Sequence, residues 1–120
     1  MVLVTAIEEV IRIIGDTSPT VPVFSRVPRE KPPVFYVVDT GTPSNTATVL
    51  DSTPVFVKAY STDLEETLSL VGKARETMWN AHGNTILGWV EAWGPHETLD
   101  PDLPDWHVWQ VGGTLYQRVL

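Results

Sequence analysis

Apolar residues near the start of the chain recur at helical spacing. Leu3, Ile7, Val10, Ile11 and Ile14 fall on one stripe, which predicts a short amphipathic helix over residues 3–14. Thr5 with Glu8 three positions later reads as a capping box, and Gly15 as the stop. The pattern then changes period. Residues 21–27 read as a first strand, confined to a sheet edge or a strand end by Pro22. Residues 34–40 form a second strand that is apolar on both faces. Residues 41–45 read as a loop tip. Residues 46–50 either extend the next strand or make a short one, and Asp51, Ser52 and Thr53 read as a turn.

The centre of the chain is residues 54–81, a strand that runs into a helix. In the strand 54–60, Val55, Val57 and Ala59 share one face and Phe56, Lys58 and Tyr60 the other. The helix is expected to start at Thr62, with Glu65 completing a second capping box. Asp63, Glu65 and Glu66 put negative charge at the positive end of the helix dipole. At about 100° per residue, Leu64, Leu68, Val71, Met78 and Trp79 fall on an apolar arc flanked by Ala74 and Ala81. Glu65, Glu66, Ser69, Lys73, Glu76 and Asn80 fall opposite. Arg75 lies within the apolar arc, so it must snorkel, pair with an acid or face a partner subunit.

His82, Gly83 and Asn84 are expected to end this helix. A strand over residues 85–93 follows, with Leu87, Trp89 and Trp93 on one face and Ile86, Val90 and Ala92 on the other. Residues 94–105 form an acidic, proline-rich loop. Residues 106–119 make the closing strand, with a bulge or sharp bend at Gly112 and Gly113. The order α-β-β-β-α-β-β, joined mostly by hairpins, describes an α+β fold: a mostly antiparallel β-sheet with two helices packed on one face. Residues 1–120 are expected to form a single domain.

Composition narrows the classes. Forty-two per cent of the 120 residues are hydrophobic and 19% charged, ordinary for a globular chain. No run of about 18 apolar residues suggests a membrane span. The N-terminal stretch lacks a basic start and carries Glu8 and Glu9, which argues against a secretion signal and for action inside the cell that makes the protein. Without cysteine there is no disulfide or thiolate metal site. A net charge of −7 argues against gripping nucleic acid by its phosphates, and leaves room for a surface that DNA slides past.

Catalytic constellations are thin, and no cofactor is implied. There is no glycine-rich phosphate loop and no nucleophile elbow. His82, His96 and His107 lack ligand-like spacing. His96 with Asp100, Asp102 and Asp105 resembles a hard-metal set only in composition, and a solvated acidic loop accounts for it. His107 has no partner nucleophile in sight. Four of the five tryptophans, Trp89, Trp93, Trp106 and Trp109, come after residue 88. They read either as cross-strand pairs that stabilise the last two strands or as an interface on that hairpin. Helices on one face leave the other needing cover, which favours the interface. Arg75, Trp89, Trp93, Asp100, Asp102, Asp105, Trp106 and Trp109 are therefore the interface candidates.

The layout resembles the tail terminator (tail completion, head–tail joining) proteins of long-tailed bacteriophages. The residues that carry the resemblance are the N-terminal helix from Val4 to Ile11 and the segment Pro33-Val34-Phe35-Tyr36-Val37-Val38. With them go the strand-into-helix run from Val55 to Glu66, Asp100-Pro101-Asp102, and the final Tyr116-Gln117-Arg118-Val119. The resemblance implies a virion protein without enzymatic activity, assembled in the host cytoplasm. It implies a ring, hexameric in that family, at the head-proximal end of the tail tube. Such a ring stops tube polymerisation and gives the head connector a docking surface. The implied partners are copies of itself, the tube protein and the connector, with DNA crossing the lumen unbound and no membrane involved. The loops 41–53 and 94–105 are expected to meet neighbours or the tube. The alternatives are another connector component or tail tube subunit, a small intracellular enzyme using His96 or His107, and a ligand-binding module lined by tryptophan.

Overall fold

The computed structural model describes residues 5–47, 49–83 and 85–119. The elements in chain order are α1 (Ala6–Thr17), β1 (Val23–Phe24), β2 (Val34–Thr40), β3 (Ser44–Ala47), β4 (Leu50–Ser61), α2 (Leu64–Trp79), β5 (Ile86–Glu97) and β6 (His107–Arg118). The fold is α+β, as the hydropathy pattern predicts, with β3 as an additional short strand. The sheet runs β1-β2-β4-β6-β5, and β3 pairs with the start of β4. Every pairing is antiparallel except β1 with β2. Pro22 keeps β1 to two residues at the sheet edge, shorter than the strand expected over 21–27.

Both helices lie on one face. Tyr36, Val38, Val55, Val57, Ala59, Val111 and Leu115 point into a core shared with Val10, Ile13 and Ile14 of α1 and Leu70, Val71, Ala74 and Met78 of α2. The other face carries a smaller cluster of Phe35, Val37, Tyr60 and Val108, covered by Leu103 and Trp106. Alternation along β2 and β4 sorts these two faces as read from the sequence.

Several local expectations change. Thr5 does cap α1: its hydroxyl accepts the Glu8 amide at 3.3 Å and donates to Glu8 Oε1 at 2.9 Å. The helix passes through Gly15 to Thr17, because the Ser18 amide still reaches the Ile14 carbonyl and Thr17 Oγ1 bonds back to the Ile13 carbonyl. Leu3 lies outside the described residues. The Thr62–Glu65 capping box does not form. Asp63 is the cap residue of α2, without a side-chain cap bond, and its own amide donates to Ser61 Oγ at 3.0 Å. The helix ends at Trp79, before His82, and Asn84 lies outside the described residues.

Asp51, Ser52 and Thr53 are not a turn. They belong to β4, which pairs with β6 along its whole length; Asp51 and Ser52 lie between β3 and β6, and Thr53 pairs with Leu115 of β6. Pro54 sits where β2 gives way to β3. Its carbonyl accepts the Gly41 amide at 2.9 Å, so its missing N–H falls in the gap between those strands.

Candidate functional site

The alternation expected for β5 is broken by bulges near Leu87, between Glu91 and Trp93, and between Trp93 and His96. Trp89 opposes Leu115 and packs into the helix-side core. Trp93 opposes Gly112 and lies on the open face. The two do not share a face as the strict period predicts, because the extra residue turns the chain over. Trp93 stacks on Phe56 with centroids 5.4 Å apart and an interplanar angle of 27°. A Cβ on Gly112 would meet the Phe56 ring at 2.5 and 2.6 Å. Gly112 and Gly113 are themselves in regular ladder; the bulges lie on the strand opposite them.

The tryptophans therefore form no single cluster. Trp89 and Trp109 face the helices, with both indole N–H groups buried and without a hydrogen-bond partner among the described residues. Trp106 packs against Phe35 at 5.5 Å on the open face. None of the ring contacts among the described residues joins two tryptophans. Strand β5 continues through Gly94, Pro95 and His96 to Glu97, so the loop after it is shorter than residues 94–105. That loop is pinned by Leu103 and Trp106 and by a long 3.5 Å hydrogen bond from the Tyr60 hydroxyl to Asp100 Oδ2. Burial, and then the Asp100 carboxylate, push the Tyr60 hydroxyl up to about 12. Asp100 Oδ1 accepts the Asp102 amide, while Asp102 and Asp105 point to solvent.

Arg75 pairs with an acid. Its Nε and Nη2 reach the two Glu91 oxygens at 2.9 and 2.8 Å, and its guanidinium lies 4.3 Å from the centre of the Trp79 ring. This fork ties α2 to β5, and the Glu91 hydrogen bonds raise the Arg75 pKa further.

The apolar arc of α2 is rotated from the expected one. Thr67, Leu70, Val71, Ala74, Thr77 and Met78 are buried, whereas Leu64, Leu68 and Trp79 are exposed. Burying threonine costs little here, since Thr67 and Thr77 hydroxyls each donate to the carbonyl one turn back at 2.8 Å. A second exposed apolar strip follows the outer strand: Leu87 at 58%, Val90 at 57%, Trp93 at 52%, and Leu99 beyond it at 84%. Reading the sequence by strict alternation set Val90 against Trp93. The bulges that bring them to one face lie opposite and next to the Gly112-Gly113 pair, between Glu91 and Trp93 and between Trp93 and His96.

The histidines are not gathered. His96 takes its place on the open face between the Gly94 carbonyl (2.8 Å, from Nδ1) and Gln110 Nε2 (2.9 Å, to Nε2). His82 Nδ1 contacts the Asn80 carbonyl, and His107 makes no side-chain hydrogen bond among the described residues. No group of three or more His, Asp or Glu among the described residues is placed to hold a metal ion. A groove of about 420 Å³ lies between the helices, lined by Arg12, Asp16, Lys73, Glu76 and His82 among others. Its charges are mixed, and the hydroxyls of Thr17 and Thr77 that line it donate to the Ile13 and Lys73 carbonyls. The arrangement offers surfaces for association: an open sheet face, a strand edge unpaired among the described residues, and an apolar strip.

No protein-family model matches the chain, and no curated protein matches it by sequence. By fold, the chain is similar to a chain of a solved structure described as the virion of a native gene transfer agent (GTA) particle. The TM-score is 0.59 over 88% of this chain and 84% of that one, at 9% sequence identity. At that identity the likeness is one of fold.

Proposed function

We propose that the protein is a structural subunit of a phage-like virion and, within it, a tail terminator. Copies of the chain close into a ring, hexameric by resemblance, at the head-proximal end of the tail tube. The ring ends tube polymerisation and presents a docking surface to the head connector. The observation that carries this reading is the fold shared with a chain of the gene transfer agent virion. The molecule's own surfaces support it. Among the described residues the outer edge of β5 is unpaired, and the strand carries exposed apolar side chains, a feature that chains acting alone guard against. The net charge of −7 suits a lumen that DNA crosses without binding. The β3–β4 hairpin and the loop after β5 are the segments assigned to neighbours and tube, and the protein then resides in the tail after assembly in the host cytoplasm.

Light scattering behind size exclusion, over a range of concentrations and with imaging of the product, tests the reading. A discrete hexamer, or a monomer that binds and caps tail tubes, is the expected result. Long polymers would assign the chain to the tube itself. A monomer at every concentration that ignores tail tubes would overturn the reading.

A further inference from the structure

The two flanks of the sheet differ in charge. Val34, Ser61 and His107 stand in one row across the sheet, with Glu97 two rungs further in. The connection 25–33, which starts beside Val37 because β1 runs parallel to β2, therefore returns to this end of the sheet at Val34, and the loop 98–106, between β5 and β6, leaves the same end. The first adjoins the β1–β2 flank and the second the β5 flank.

Arg26, Arg29 and Lys31 are exposed on the first connection, with Glu30 as its only acid. They are three of the eight Lys and Arg side chains of the chain. Glu97 at the end of β5 and Asp102 and Asp105 on the second are exposed, and the second carries no Lys or Arg. None of the ion pairs among the described residues engages any of these six; they join Arg12 to Glu9 and Asp16, Lys58 to Asp39, and Arg75 to Glu91. The β5 edge, unpaired among the described residues, runs away from the acidic group along the sheet, with exposed Trp93 nearest to it, then Val90, and Leu87 at the far end.

We infer that the β5 flank of one copy docks on the β1–β2 flank of a second copy. The Glu97, Asp102 and Asp105 group meets Arg26, Arg29 and Lys31 of its neighbour. A head-to-tail contact repeated by rotation brings unlike flanks together at the same height, so a connection that returns to one end of the sheet faces the loop that leaves that end in the neighbour. The exposed strip on β5 supplies apolar area at the contact, and the charges fix its register and exclude the inverted pairing. The second copy is the occupant because each flank carries the charge the other lacks. This contact deepens the ring reading and rests on it.

The test uses two charge-reversed chains, E97K/D102K/D105K and R26E/R29E/K31E. Asp100 is left in place because it anchors the loop to Tyr60. Far-UV circular dichroism checks that each variant is folded. In each variant both flanks have one sign, so each alone needs at least about tenfold more protein than wild type to assemble. An equimolar mixture restores assembly, since the acidic variant's loop then meets the basic variant's connection and the reverse. A chain with all six substitutions keeps the net charge of −7, three reversals in each direction cancelling, and assembles alone. Assembly of the wild type weakens when salt rises from about 0.05 M to about 0.5 M. If the wild type assembles and both single-sign variants assemble equally well, the docking is overturned and the ring stands. If the mixture and the six-substitution chain fail while folded, the pairing of these two groups is overturned. If the wild type neither assembles nor binds tail tubes, the ring falls and this contact with it.

Discussion

An added methyl at Gly113 would press on the Val90 carbonyl and come within 2.9 Å of Glu91 Cα and Trp89 Cζ2. Its neighbours there include backbone, which cannot swing aside. At Gly112 the obstruction is the ring of Phe56, half-buried and able to shift. Gly113→Ala is therefore expected to cost about 1–3 kcal/mol and Gly112→Ala less, read from the midpoints of denaturant unfolding. Tyr60 gives a second residue-level expectation. Its hydroxyl is pushed up to about 12, first by burial and then by Asp100, so folding favours the neutral phenol. The associated stability is complete below the ordinary tyrosine value near 10 and is lost as pH rises from about 10 towards about 12. Tyr60→Phe should flatten that alkaline descent, measured as unfolding free energy against pH. Tyr36, which burial also raises, leaves a remaining slope in the variant.

The helices and strands were legible in the sequence where one rule acted alone. Thr5 and Glu8 mark the start of α1, and alternation in β2 and β4 assigns each side chain to its face. Helix α2 was misread in rotation because hydropathy counts threonine as polar. Thr67 and Thr77 satisfy their hydroxyls within the helix and are buried, leaving Leu64 and Leu68 outside. Arg75 was legible only as a set of alternatives, since its partner lies sixteen residues on in β5. Arg75→Ala, or Glu91→Gln, should loosen α2 from β5 and speed amide exchange along both elements. Arg75→Lys should not restore protection, because an ammonium lacks the planar fork that meets both carboxylate oxygens. Equal protection in all three variants would show that the fork does not tie the elements together.

At the scale of the molecule, the class of fold followed from element order, but the free flank did not. Which strand ends at the edge depends on long-range pairing: β5 follows α2 in sequence yet, among the described residues, pairs only with β6, and β1 pairs parallel to β2 across a connection that reads as irregular. The division of charge between the flanks was hidden for the same reason. Residues 26–31 and 97–105 are far apart in sequence, and the net charge of −7 averages over both.

The long axis of the molecule is set by one pairing. Strands β4 and β6 oppose each other at twelve successive residue pairs, about 40 Å of ladder in a body 45 Å long. A pull along that axis, one strand against the other, loads the rungs together in shear. A pull across it opens them one after another. The chain is thus mechanically anisotropic: stiff end to end, and easiest to peel from the side where β5 is interrupted by its bulges.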